Sequence, residues 1–182
     1  MAVRRYFLGA NTGKGFVSLY EEFCKPESGN FLYVIKGGPG CGKSSFMKKI
    51  GKAAEDAGLD VEYVICSGDP DSLDGVFIPT WHVAYADGTS PHILDVALPA
   101  ASGAYLDLGQ FYDVAALRPK REALAELTAK YRAQYAIAYK ALAEAKRLHD
   151  DLEAVYNPHV NFDGVYALAK DHIKLLKNLS DQ

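Results

Sequence analysis

The chain is poor in the residues that mark several specialised classes of protein. Only three of its 182 residues are cysteines (Cys24, Cys41 and Cys66), and no two of them have CxxC spacing. This pattern argues against a disulfide framework or a zinc module and favours a reduced, cytoplasmic protein. No stretch approaches eighteen consecutive apolar residues, and the apolar character of the N-terminus is broken. The sequence therefore predicts neither a transmembrane helix nor a signal peptide.

An excess of positive charge is absent as well. Twenty basic and twenty-three acidic side chains give a formal net charge of −3. This balance indicates neither nucleic acid nor an anionic membrane as the main partner. The hydrophobic share of 49% and the charged share of 24% are ordinary for a folded chain. The length suits one domain with an appendage.

Strand and helix signals alternate in the first part of the chain. The apolar run at 31–35 leads into a glycine cluster, and residues 44–57 carry apolar side chains at helical spacing. A second apolar run follows at 61–66. Strand, helix and strand in this order predict a βαβ unit with parallel strands, and therefore an α/β fold. Three further predictions are a loop at 67–80, a strand at 81–86 and a short strand at 93–98.

The C-terminal third has a different character. From Arg118 to Asn157, apolar residues recur every three or four positions and glycine is absent, which predicts one long helix with a coiled-coil-like stripe. Residues 160–179 predict a returning helix, so that the two form a helical hairpin. We therefore expect a core over residues 1–117 and a helical extension over residues 118–182.

One segment carries a specific chemical signature, the pattern GxxxxGK[ST] between the first strand and its helix. Glycine-rich backbone and the helix N-terminus direct N–H groups at phosphates, Lys43 reaches the β- and γ-phosphates, and the Ser44 hydroxyl holds Mg²⁺. The pattern predicts binding of a nucleoside triphosphate, with ATP preferred because no Asn-Lys-x-Asp element indicates guanine. The predicted nucleotide-binding residues are Gly37, Gly38, Pro39, Gly40, Cys41, Gly42, Lys43, Ser44 and Ser45, with Cys41 contributing only its backbone.

A carboxylate at the end of a neighbouring parallel strand is needed to hold Mg²⁺. Asp87, at the end of the predicted strand 81–86, is the first candidate, and Asp69 is its rival. Residues 69–74, called here the aspartate segment, contain two more carboxylates, Asp71 and Asp74. The segment is interpreted either as an acceptor-binding or metal-organising loop or as a solvated turn.

Three other features are weaker candidates. His92 could orient a water or contact a phosphate, although a loop histidine is usually surface. Arg118, Lys120 and Arg121 could place positive charge on the γ-phosphate or form a lid, or could simply flank the start of a helix. The glycine- and lysine-containing stretch 6–17 could form a loop that closes over the nucleotide.

Several of these segments together resemble a poorly characterised bacterial P-loop ATPase family. The segments are 6–12, 14–16, 35–40, 42–45, 66–67, 69–75, 87–89 and 91–92. The likeness covers most of residues 5–115, whereas members of the family are about twice as long and carry two tandem P-loop halves. The resemblance implies phosphate and Mg²⁺ roles for Lys43 and Ser44. It also implies that a second P-loop half, or a second copy of this chain meeting it through the long helix, completes the assembly.

The sequence thus predicts a Mg²⁺-dependent P-loop NTPase with a three-layer sandwich fold, catalytic Lys43 and Asp87, and ATP hydrolysis coupled to a partner or second subunit. One alternative is a small-molecule or nucleotide kinase, in which the aspartate segment holds the acceptor. Another is an ATP-gated interaction module with negligible turnover.

Overall fold

The computed structural model describes residues 1–23, 25, 29–90 and 93–180 and has an α/β fold. Within these ranges the helices are α1 (Lys43–Asp56), α2 (Val114–Leu117), α3 (Arg121–Tyr156) and α4 (Phe162–Ser180). The strands are β1 (Val3–Tyr6), β2 (Gly9–Thr12), β3 (Gly15–Ser18), β4 (Phe31–Lys36), β5 (Val61–Ile65), β6 (Leu73–Ile78), β7 (Val83–Asp87) and β8 (Gly103–Asp107).

Six of the strands form one mostly parallel sheet in the order β1-β5-β6-β7-β4-β8. β6 runs antiparallel to both of its neighbours, and the other five strands run in one direction. β4 lies between β7 and β8, so its carboxyl end is flanked by the carboxyl ends of two parallel strands. β2 and β3 form a separate antiparallel hairpin.

The central strands are buried on both faces, which explains their continuous apolar sequences. Successive residues of β4 point to opposite faces, with Val34 in one core cluster and Ile35 in the other. α1 covers the face of Ile35 with Met47 and Ala54. The described segments that cover the opposite face contain no α-helix and contribute side chains such as Phe16, Tyr20, Phe23, Leu94 and Val96.

The predicted strands at 31–35, 61–66 and 81–86 and the helix at 44–57 are confirmed within a few residues. β4 and β5 are parallel, as predicted for a βαβ unit, but β6 and β7 lie between them.

Two predictions for the core are wrong. The region 67–80 is not a continuous loop, since it contains β6, and the pair Asp74-Gly75 lies inside this strand. Asp74 is only 4% exposed, and its carboxylate accepts a hydrogen bond from the Tyr20 hydroxyl. The described residues 93–98 form no strand: Leu94 and Val96 cover the sheet face, and the carbonyl of Leu94 accepts from Lys36 Nζ. The strand in this region is β8, at 103–107.

The long helix is confirmed as α3, with 36 residues, and α4 follows it after a 3₁₀ turn at Asn157–His159. The chain divides into two compact units, Met1–Lys140 and Ala141–Gln182, and this division falls inside α3. The boundary between residues 117 and 118 stays a prediction. Among the described residues, none of the helices combines the length and apolar character needed to cross a bilayer.

Candidate functional site

The glycine loop (residues 37–42) connects the carboxyl end of β4 to the first residue of α1. Gly40 and Gly42 have φ angles of 76° and 88°, in the left-handed region that favours glycine. This local sequence therefore folds as a tight turn that delivers the chain directly into a helix.

The N-terminus of α1 has no side-chain cap. Its N-cap residue is Gly42, and the first intrahelical hydrogen bond runs from the amide of Phe46 to the carbonyl of Gly42, at 2.8 Å. The amides of Lys43, Ser44 and Ser45 precede that bond and have no carbonyl one turn earlier in the helix. Together with the helix dipole, these amides make the end of the glycine loop suited to an anion.

Lys43 lies over the glycine loop. Its Nζ donates to the carbonyls of Gly37, at 2.9 Å, and Gly38, at 3.1 Å. The same Nζ lies 3.5 Å from Asp87 Oδ2, and the two side chains are only 11% and 15% exposed. This largely buried ion pair joins the two residues that the sequence predicted as catalytic.

Asp87 is the last residue of β7, the parallel neighbour of β4, and stands opposite Ile35. Its Oδ1 accepts from both the amide and the hydroxyl of Thr89, at 2.9 and 2.5 Å. Lys36 Nζ donates to the carbonyl of Gly88 at 3.0 Å and so holds the segment that follows. These contacts fix the carboxylate so that its Oδ2 points towards Lys43.

The Ser44 hydroxyl accepts a hydrogen bond from the amide of Leu73, at 2.9 Å. A hydroxyl oxygen has two lone pairs, so one remains available for a cation. Ser44 and Asp87 offer only oxygen ligands, and oxygen is the donor type that Mg²⁺ prefers. The residues present therefore fit this metal.

Asp69 lies in the loop that follows β5, and two strands, β6 and β7, separate β5 from β4. Its carboxylate accepts from the Ser72 hydroxyl, at 2.6 Å, and from the amide of Asp71, at 3.1 Å. These hydrogen bonds, the one from Ser72 foremost, lower the pKa of Asp69 below its ordinary value. Asp69 thus stabilises its own turn, and no described contact links it to Lys43 or Ser44.

The other two aspartates of the aspartate segment also accept hydrogen bonds from protein groups. The carbonyl of Asp71 accepts from Lys48 Nζ, on the outer face of α1. The carboxylate of Asp74 is buried against Tyr20. Burial, followed by the nearby Asp74 charge, raises the pKa of the Tyr20 hydroxyl far above its ordinary value, so this hydroxyl remains a donor.

The remaining candidates are dispersed. Residues 6–17 contain the end of β1 and the β2–β3 hairpin, and their closing over a nucleotide stays a prediction. Arg118 and Arg121 line a cavity of about 330 Å³ with Gly109 and Tyr112, on the β8 side of the glycine loop. Lys120 lies in the 3₁₀ turn between them. His92 lies outside the described residues.

Two further cavities adjoin the carboxyl edge of the sheet, and α3 forms one wall of both. The first, called here the loop cavity, has a volume of about 730 Å³, and its lining includes Gly38, Lys43, Thr89, Leu127 and Thr128. The second, called the tyrosine cavity, has a volume of about 380 Å³, and its lining includes Asn11, Phe16, Tyr131, Tyr135 and Tyr139. Ser90, Tyr131 and Arg132 line both cavities, so the two are adjacent.

Sequence reasoning missed two side chains that support the candidate site. The Tyr112 hydroxyl donates to the carbonyl of Pro39, at 2.6 Å, and Lys36 holds the segment after Asp87. Neither residue belongs to the glycine motif, and only Lys36, which directly precedes the motif, could have been noticed from its position in the sequence.

No family model, curated protein or solved structure shows significant similarity to this chain.

Proposed function

We propose that this protein is a Mg²⁺-dependent P-loop NTPase that hydrolyses ATP. The observation that carries the proposal is the Lys43–Asp87 pair, with 3.5 Å between Nζ and Oδ2, at the uncapped N-terminus of α1. A lysine, a carboxylate and unpaired helix amides converge there at the carboxyl edge of a parallel sheet, where α/β proteins bind ligands.

In this proposal the polyphosphate takes over the contacts that the loop now makes with itself. Lys43 Nζ exchanges the carbonyls of Gly37 and Gly38 for phosphate oxygens, and the amides of residues 43–45 donate to the phosphate chain. Ser44 and Asp87 would hold Mg²⁺, which neutralises charge on the β- and γ-phosphates when it is bound. Thr89 keeps the Asp87 carboxylate oriented towards Lys43.

The same proposal includes a P-loop NTPase sandwich as the fold and the family resemblance drawn from the sequence. It also includes a cytoplasmic location and a second P-loop half, or a second copy of this chain, as partner. The volume of the loop cavity, about 730 Å³, supports a nucleotide as ligand, because small-molecule sites commonly enclose 300–1,000 Å³.

The test compares Lys43→Ala with Lys49→Ala. Lys49 is an exposed lysine on the same helix and serves as the matched control. We expect Lys43→Ala to reduce phosphate release from ATP and Mg²⁺ by about 100-fold or more, equivalent to ~2.7 kcal/mol of barrier. Calorimetry should also detect weaker triphosphate binding. Lys49→Ala should behave as the wild type, and wild-type turnover in Lys43→Ala would remove the assignment.

A kinase is a second candidate function, favoured by one observation: the tyrosine cavity adjoins the loop cavity. The acceptor site would then lie there and not in the aspartate segment, where the carboxylates of Asp69 and Asp74 already accept hydrogen bonds from protein groups. Phosphate release without any acceptor supports the hydrolase, whereas a phosphorylated product detected by mass spectrometry supports the kinase. Tight ATP binding with no turnover would instead favour an ATP-gated interaction module.

A further inference from the structure

We propose that the tyrosine cavity is a second ligand site, which binds a nucleoside monophosphate beside the triphosphate. Its place next to the γ-phosphate depends on the proposed function, but the existence of the site does not. The proposal is carried by the composition of the cavity walls, by one arginine and by the position of the cavity relative to Asp87.

The walls offer aromatic faces to a flat ligand. Tyr131, Tyr135 and Tyr139 follow one another at four-residue spacing on α3, with ring centroids 5.0 and 5.9 Å apart. Phe16, from the β2–β3 hairpin, also lines the cavity. Tyr131 is 62% exposed although it faces a cavity, so much of its ring remains available for stacking. Nucleobases stack on such rings regardless of their identity.

The cavity is held open by a polar bridge. The Tyr139 hydroxyl donates to Asn11 Oδ1, at 3.1 Å, and Asn11 Nδ2 donates to the carbonyl of Ser67, also at 3.1 Å. One asparagine thus ties α3 to the hairpin and to the loop after β5. The resulting volume of about 380 Å³ lies within the usual range of small-molecule sites.

Arg132 supplies the charge that selects an anion. Its side chain lines both the tyrosine cavity and the loop cavity, and among the described residues it has no ion-pair partner. A guanidinium presents five donors in a planar fork that matches a phosphate group. A flat ring against the tyrosines and a phosphate at Arg132 together describe a nucleoside monophosphate.

The position of the cavity separates this ligand from the base of the triphosphate. Ser90, which lines both cavities, follows Asp87 by three residues, and so the tyrosine cavity lies on the Asp87 side of the glycine loop. That side receives the γ-phosphate in the proposed binding mode. The opposite side, next to β8, has its own cavity with Tyr112 and Arg118, which is available to the base of the triphosphate.

The test measures binding of AMP, GMP, CMP and UMP to the full chain by calorimetry, without triphosphate. We expect at least one of them to bind both the wild type and Lys43→Ala, which excludes the glycine loop as its site. Tyr135→Ala and Arg132→Gln should each weaken this binding about tenfold. Tyr156→Ala, an exposed tyrosine near the end of α3, is the matched control and should have no effect.

Two further measurements keep the result interpretable. A non-hydrolysable ATP analogue should still bind Tyr135→Ala, which shows that the variant is folded, and should leave monophosphate binding to the wild type in place. The inference fails if no monophosphate binds, if the analogue displaces it, or if both cavity variants bind it as the wild type does. Monophosphate binding without analogue binding would instead reject the triphosphate site and retain this one.

Discussion

The glycine loop and the aspartate segment both follow strands at the carboxyl edge of one sheet, yet they differ in whether their polar groups are hydrogen-bonded within the loop. In the aspartate segment, Asp69 satisfies the hydroxyl of Ser72 and the amide of Asp71 within its own turn. At the end of the glycine loop, the first amides of α1 have no side-chain cap. The first arrangement is complete without a ligand, whereas the second leaves amides that could donate to an anion.

This contrast distinguishes two kinds of turn-forming sequence, both of which are candidate binding sites when judged by composition alone. Aspartate, serine and glycine are enriched in turns because their side chains or backbone freedom satisfy the turn itself. A binding loop instead leaves donors directed outward, here beside the enclosed pair of Lys43 and Asp87. The direction of the hydrogen bonds, more than the residue types, distinguishes the candidate site from a structural turn.

The largest effect should come from replacing a single aspartate by asparagine, either beside the glycine loop or in the aspartate segment. We expect Asp87→Asn to lower ATP turnover by about 100-fold, or ~2.7 kcal/mol, because the amide cannot supply the charge that Lys43 and Mg²⁺ need. Asp69→Asn should leave turnover within about twofold of the wild type. Steady-state phosphate release at saturating Mg²⁺ measures both. The reverse result would transfer the metal role to Asp69.

A second, smaller effect concerns Asp74, the buried member of the aspartate segment. Tyr20→Phe removes the hydroxyl that donates to Asp74 Oδ2 and should lower the free energy of unfolding by about 1–3 kcal/mol. Urea denaturation at neutral pH measures this loss. Tyr166→Phe, at an exposed site on α4, is the control and should cost nothing measurable. Unchanged stability in Tyr20→Phe would show that Asp74 does not depend on this bond.

The same pair gives stability a defined pH dependence. The pKa of Tyr20 is raised in the folded state above its ordinary value of 10.0, so the folded chain holds this proton more tightly than the unfolded chain. Its contribution is therefore complete below pH 10 and declines as the pH rises above it. Denaturation curves of the wild type should show a steeper loss of stability above pH 10 than those of Tyr20→Phe.

The sequence was sufficient for the parts of the molecule whose signals are local. The glycine motif lies between an apolar run and an amphipathic run, so the order of β4, the glycine loop and α1 could be predicted. Asp87 could be proposed because it ends an apolar segment, and in the structure it is next to Lys43. Each of these inferences needed only neighbouring residues and the rule that parallel strands end at one edge.

Other features depend on contacts between distant segments and gave no comparable signal. β6 was missed because Asp74 and Gly75 are turn residues by composition, and the Tyr20 hydroxyl that donates to the buried Asp74 lies more than 50 residues away in the sequence. Tyr131 and Tyr135 were interpreted as part of a coiled-coil-like stripe, because their helical spacing does not reveal what they face. Their contribution to the tyrosine cavity depends on the hairpin more than 110 residues earlier in the chain.

The smallest expected effect is confined to the turn of the aspartate segment. Ser72→Ala removes the hydroxyl that donates to Asp69 Oδ2, the main cause of the lowered pKa of that carboxyl, so the pKa should rise towards its ordinary value of 3.8. Ser72→Thr keeps a hydroxyl and should restore the low pKa. Carbon-detected NMR titration of the aspartate carboxyls measures the change. ATP turnover should not change in either variant, because the turn is complete without a ligand; a drop in turnover that follows the pKa would contradict the contrast between the two loops.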